Sequence, residues 1–254
     1  MTVPKSIDPS SLGPRTAAIL VIGDEILSAD VPDQNTPFLS RRLWELGILV
    51  ERIVVLGDRR GELAEEIRHL AGRYDFVLVA GGMGPTHDDV TREAVAEALD
   101  LPLEVHPVAR ELLVADYGER LTPAEAEMAM LPRGARILRG GGRLAYAFRA
   151  GKVFAFPGVP TLLQDVFDVA AEELLSAPMY KETVWVRGKE GDFSEILRAI
   201  QGRHVSVGIG SYPVFIAGRY RCKLVVRARD REALEAALGA IQTELEIEPP
   251  PEAS

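Results

Sequence analysis

The sequence predicts an α/β protein: a domain on a mostly parallel sheet with helices on both faces, then a small α+β domain. Three observations predict it. Through the first 175 residues, continuous apolar runs alternate with stretches of helical period. Those runs lack polar alternation, as strands buried on both faces do. They are followed by helices rather than tight turns, which demands crossovers and parallel pairing.

The elements follow in order. "TAAILVIG" (Thr16–Gly23) is the first strand. A helix from about Asn35 to Leu46 has Phe38, Leu39, Leu43 and Leu46 on one face; Pro37 is tolerated in its first turn and Gly47 stops it. "ERIVVLGD" is a second strand and "RGELAEEIRHLAG" a second helix, with Leu63, Ile67 and Leu70 at core spacing. "DFVLVAGG" is the third strand, and a helix over about 90–99 follows. The stretch 107–130 reads as mostly helical. Short strands then meet in a hairpin around Ala150–Gly151, and "TLLQDVFDVAAEELL" is an amphipathic helix. Pro178 interrupts the pattern, which restarts after Lys181 as strand, helix, strand, strand, helix. The expected organisation is a flexible N-terminus (1–15), a large domain (16–176), a small domain (182–247) and a Pro-rich tail (248–254). "GSYP" (Gly210–Pro213) reads as a turn after a strand.

Composition restricts the function. The net charge of −9 argues against nucleic-acid and anionic-membrane surfaces, which need a basic footprint. The single cysteine, Cys222, sits in an apolar run and reads as a buried structural thiol. No signal pattern or membrane-length apolar run is seen, so a cytoplasmic location is expected. A phosphate-bearing ligand would need local compensation from backbone amides, a few basic side chains or a divalent metal.

In an open parallel sheet, ligands bind outside the carboxyl ends of the strands. Four such ends carry unusual residues: Gly23, Asp24 and Glu25; Asp58; Gly81–Asp89; and "FPGVP", with Pro157 and Gly158. In "GGMGPTHDDVT" (Gly81–Thr91), Gly81, Gly82 and Gly84 allow close backbone approach to a ligand. Thr86 and Asp89 have capping-box spacing, so a capped turn explains one aspartate. It does not explain the pair: Asp88 beside Asp89 is repulsive without a cation. Turn and ligand site both stay open on spacing alone. The motif is neither a dinucleotide fingerprint nor a P-loop. The four histidines show no metal-ligand spacing.

"VIGDEILSADVPDQNTPFLSRRLWELG", "GGMGPTHDDVTREAVAEAL" and "FAFPGVP", in this order, resemble the competence/damage-inducible protein A (CinA-like) family. This is the molybdopterin-binding-like (MoaB/Mog) domain also found in the N-terminal half of eukaryotic FAD synthases. The resemblance covers about Thr16 to Leu175. It implies a three-layer α/β/α domain that binds a nucleotide or pterin phosphate, often in a dimer or trimer. It also implies metal-dependent hydrolysis of a pyrophosphate such as that of ADP-ribose or FAD. Carried over by motif, the functional aspartates are Asp58 and Asp89. The family's acidic motif after the first strand falls on Gly23, Asp24 and Glu25, and its D-x-N on Asp33 and Asn35. The expected catalytic set is then Asp58, Asp89 and Glu25. Asp58, Asp88 and Asp89 would hold a Mg²⁺-like ion. The ligand would rest on Gly23, Asp24, Asn35, Gly81, Gly82, Met83, Gly84, Thr86, Pro157 and Gly158. Two alternatives go with the resemblance: molybdopterin adenylyl transfer in cofactor synthesis, against which Met83 stands where that branch has threonine, and a binding module without chemistry. Arg139–Phe148 lacks the family's asparagine and its small-Pro-Gly-Phe pattern. No amidase or FAD-synthase catalytic domain is recognised in the sequence, so neither activity is expected.

Overall fold

The computed structural model describes residues 12–142, 146–216 and 218–251. They fall into two compact units, the first ending at Ala177 and the second starting at Pro178. The first unit opens with β1 (Arg15–Ile22), a four-residue helix α1 (Asp24–Leu27) and α2 (Asn35–Glu45). It continues with β2 (Ile48–Leu56), α3 (Arg60–Arg73), β3 (Phe76–Ala80) and α4 (Thr91–Ala98). After β4 (Leu103–Val105) come α5 (Pro107–Tyr117), α6 (Pro123–Glu127), β5 (Met130–Pro132) and β6 (Arg136–Arg139). The hairpin β7 (Tyr146–Ala150) and β8 (Val153–Phe156) leads into α7 (Pro160–Ala171).

One six-stranded sheet has the order β2-β1-β3-β8-β7-β6. β2, β1, β3 and β8 are parallel, and β7 and β6 form an antiparallel edge. The pleat of β1 shows why its sequence is apolar throughout. Ala18, Leu20 and Ile22 pack with Leu63 and Ile67 of α3 and Val95 of α4. Ala17, Ile19 and Val21 pack with Leu39 and Leu43 of α2 and Phe167 of α7. Successive residues of a strand face opposite ways, so both faces are core and the domain has three layers.

β4 and β5 form a separate two-stranded ladder at either end of the stretch predicted helical. Three residues apiece are too few for a strand period to register in the sequence. α1 is likewise too short to have been foreseen.

The second unit contains β9 (Tyr180–Arg187), α8 (Glu190–Arg203), β10 (Val207–Ile216), β11 (Arg219–Ala228), α9 (Arg231–Glu244) and β12 (Ile247–Glu248). Its antiparallel sheet runs β10-β11-β9-β12, with Cys222 fully buried on β11. Two expectations are corrected here. "GSYP" is not a turn: Gly210–Pro213 runs within β10, with Pro213 opposite Cys222. β10 is an edge strand, where a residue without an N–H is tolerated. Glu248, assigned to the tail, pairs with Trp185 as the end of β12. Among the described residues no helix is long and apolar enough to cross a membrane.

Candidate functional site

The chain leaves β1 toward β2 on one side and returns as β3 on the other. The carboxyl ends of β1 and β3 therefore flank a topological switch point, where an open α/β sheet leaves a crevice. A cavity of about 580 Å³ occupies it. Its walls come from the ends of β1, β2, β3 and β8. All predicted site residues line it except Asp24 and Asn35. Asn35 is buried behind it, where Nδ2 donates to the carbonyl of Gly158 at 2.7 Å. Asp33 Oδ1 accepts the N–H groups of Asn35 and Thr36, fixing the start of α2.

Glycine is needed where the loops cross. Gly81 has φ 114°, and a Cβ there would lie 2.3 Å from the carbonyl oxygen of Ile22. Gly82 has φ 61°, and a Cβ there would lie 2.4 Å from Thr91 Oγ1. Thr91 is fully buried; its hydroxyl donates to Gly81 O at 2.7 Å and its N–H to Gly82 O at 3.1 Å. Among the described residues, the N–H groups of Gly82, Met83 and Gly84 have no acceptor within the protein. Three successive free amides on a cavity wall make an anion-binding surface.

The capping-box reading of Thr86 and Asp89 is half right. Asp89 Oδ2 accepts from the N–H of Thr86 at 2.9 Å and from its hydroxyl. The two close their own turn, with Asp89 N–H on Thr86 O. The helix starts only at Thr91, so Asp89 is not its cap.

Acidic side chains, Glu25, Asp58, Asp88 and Asp89, line the same cavity. Asp58 Oδ2 accepts the Asp24 N–H at 2.9 Å, tying the end of β2 to the start of α1. Glu25 lines the cavity and Asp24 does not. Asp88 is exposed and Asp89 half-buried. The expected three-aspartate metal centre is not preassembled. Among the described residues, no group of three or more His, Cys, Asp or Glu side chains is arranged to hold a metal. One oxygen of Asp58 and one of Asp89 accept backbone N–H groups, those of Asp24 and Thr86. The arrangement does fit an ion that takes one or two carboxylates and completes its shell with ligand phosphate and water.

The sequence reading missed the apolar side. Met128, Tyr146, Val159 and Leu162 line the cavity there. Tyr146 is 4% exposed and its hydroxyl donates to Met128 O at 3.0 Å. Burial pushes its phenol up to about 12, against a smaller opposing effect from the Arg92 charge. It also missed Arg92, whose Nη1 donates to Met83 O at 2.7 Å and Gly84 O at 3.0 Å. In the segment Arg139–Phe148, residues 143–145 lie outside the described residues. Gly142 N–H bonds Asp165 Oδ2 at 2.7 Å.

Residues 18–177 match the family described as "Probable molybdopterin binding domain", and residues 178–249 match "FAD synthase, middle domain". A CinA-like protein of Anaeromyxobacter sp. (strain Fw109-5) is 41% identical over 61% of this chain and 40% of its own length. A probable FAD synthase of Caenorhabditis briggsae is 30% identical over 90% of this chain and 49% of its own. The chain thus spans less than half the length of these two relatives. The crystal structure of a CinA protein of unknown function from Thermoplasma acidophilum aligns with a TM-score of 0.60 at 28% identity. That alignment covers 63% of this chain and 99% of the other. The matched domain takes in the whole cavity lining and more than half of the sequence, and the chain belongs to the probable molybdopterin binding domain family, with CinA-like proteins among its relatives.

Proposed function

We propose that the cavity binds a nucleotide or pterin ligand by its diphosphate and hydrolyses the pyrophosphate bond, with ADP-ribose and FAD as the substrate class. The observation that carries this reading is the juxtaposition of the free amides of Gly82, Met83 and Gly84 with the carboxylates of Glu25, Asp58 and Asp89 in one cavity. Amides bind and orient the diphosphate, and a carboxylate accepts the proton of an attacking water. Glu25 is preferred as that base, because it lines the cavity and Asp24 does not. Water oxygen bonds to one phosphorus, the bridging P–O bond breaks, and two phosphomonoester products leave. The apolar wall of Met128, Tyr146 and Leu162 suits a flat ring system. The FAD synthase relationship supports a flavin or adenine nucleotide, and the family description supports a pterin.

A Mg²⁺-like ion would be held by the uncommitted oxygens of Asp58 and Asp89, with Asp88 beside them. Such an ion supplies polarisation of a phosphoryl oxygen. The test is turnover of ADP-ribose and FAD by the pure chain with Mg²⁺, Mn²⁺ or Co²⁺. Absence of turnover, or equal turnover by Asp89→Ala, sinks the hydrolase reading.

The engagement of Asp58 and Asp89 in backbone capping favours a second reading, a binding module without chemistry. It predicts saturable ligand binding by calorimetry with no product formed.

A further inference from the structure

Arg92 is the second residue of α4 and is 4% exposed. Burying a guanidinium is costly unless carboxylates meet it. Among the described residues its partners are two carbonyls, Met83 O and Gly84 O, and its buried Nε has none. A purely structural tie needs no charge. The direction of those bonds gives the charge a use.

Peptide units are planar and trans here, so each C=O points opposite to the N–H of the next residue. Gly81 O is held by the Thr91 hydroxyl, Gly82 O by the Thr91 N–H and Met83 O by Arg92. The N–H groups of Gly82, Met83 and Gly84 must then point away from the first turn of α4. Gly84 O is also held by Arg92, and the next residue, Pro85, has no N–H to present. One short segment, Thr91–Arg92, thus orients the free amides of Gly82, Met83 and Gly84.

The charge balance points the same way. The chain carries −9, the cavity is lined by Glu25, Asp58, Asp88 and Asp89, and among the described residues no lysine or arginine lines it. Arg92 lies directly behind the loop. A cation there, screened little by water, attracts an anion seated on the loop's far side.

We propose that Arg92 is a positioning residue for anion binding: it turns the carbonyls of Met83 and Gly84 toward α4 and sets a buried positive charge behind the outward amides. It acts through the loop and touches no ligand. The inference rests on the diphosphate-binding part of the proposed function and not on hydrolysis.

The experiment is calorimetric titration of the full chain with inorganic pyrophosphate, comparing wild type with Arg92→Met, Arg92→Lys and Thr91→Val. Amide NMR shifts of Gly82 and Gly84 are followed in the free proteins. Arg92→Met should move both amide resonances and weaken pyrophosphate about 10- to 100-fold, the range of a charge-assisted hydrogen bond. Arg92→Lys, which keeps the charge, should recover most of that loss. Affinity within about twofold of wild type in folded Arg92→Met overturns the proposal. Where Arg92→Met does not fold, Arg92→Gln, which keeps a donor without the charge, takes its place: shifted amides with weaker binding in Arg92→Gln and in Thr91→Val support the proposal, and wild-type affinity in Arg92→Gln overturns it. Wild type that binds no pyrophosphate overturns this proposal and the diphosphate reading together. Pyrophosphate binding that depends on Arg92, without turnover of ADP-ribose or FAD, leaves the inference standing and removes the hydrolase reading alone.

Discussion

Asp58, at the end of β2, accepts the backbone N–H of Asp24 at 2.9 Å. The bond joins two strand ends that are 34 residues apart in sequence, and it gives Asp58 a structural duty beside any chemical one. The two duties separate by substitution. Asp58→Ala removes acceptor and charge; losing a cap of this kind costs about 1 kcal/mol. In Asp58→Asn a side-chain oxygen can still accept the N–H, so stability should fall less. If the charge serves the reaction, both variants lose turnover to the same extent. Urea denaturation and pyrophosphate-bond hydrolysis, measured on both, check this. Full turnover by Asp58→Asn would reduce Asp58 to a cap.

Gly82→Ala should disable the loop. At φ 61° an L side chain costs about 1–2 kcal/mol, before its Cβ meets the hydroxyl of Thr91. Relief of the contact would push Thr91 off Gly81 O and turn the loop amides. The expected result is a lower melting temperature together with lost anion binding. Gly72→Ala, with open space at its Cβ on the exposed end of α3, is the control and should melt at or slightly above wild type. An unchanged pyrophosphate affinity in Gly82→Ala would count against the loop as the anion site.

The strand ends were legible in the sequence because glycine, proline and carboxylate clusters interrupt long apolar runs there. Gly81–Asp89 and Pro157–Gly158 are each legible as strand carboxyl ends, and the structure is what brings them to one cavity. Met128 and Tyr146 were not legible. They reach the cavity from outside the parallel core, and neither sits in a pattern that differs from ordinary core. Thr91 and Arg92 looked like any helix start, since their role depends on which carbonyls they meet. "GSYP" shows the reverse error: its residues favour a turn locally, and pairing with β11 overrides that preference. The aspartates were legible as a cluster, but not the capping bonds that engage them.

Asp75 links stability to pH. Burial alone would raise its carboxyl. The Thr16 N–H, then the Arg15 guanidinium and the Thr16 hydroxyl, outweigh that and hold it below the usual carboxylate range. A folded value below the unfolded one contributes stability that is fully present above the unfolded pKa, about 4. That contribution disappears as pH falls through the lower folded value. Asp75→Asn should therefore flatten the loss of stability below about pH 4 and be less stable than wild type at pH 7. Denaturant midpoints from pH 3 to 7 measure both. Parallel curves for the two proteins would remove Asp75 from the acid response.

Tyr146 tests the character of the apolar wall. Its phenol is raised to about 12, first by burial, with the Arg92 charge pulling the other way and Tyr117 adding to the rise. A raised value means that the neutral phenol is favoured by folding. That contribution is complete below the unfolded value of about 10 and is lost as pH rises through about 12. The group is therefore neutral wherever the protein works and cannot be the base in hydrolysis. Its visible part is the hydrogen bond to Met128 O, which keeps the ring against the cavity. Tyr146→Phe keeps the ring and deletes that bond, so its net cost should be about 1 kcal/mol, with the pH profile of turnover unmoved. Phenolate absorbance titration should show the same early-ionising tyrosines in wild type and Tyr146→Phe up to about pH 11, diverging only above it. Divergence near pH 10 would mean that Tyr146 is open to water and that the wall is not dry.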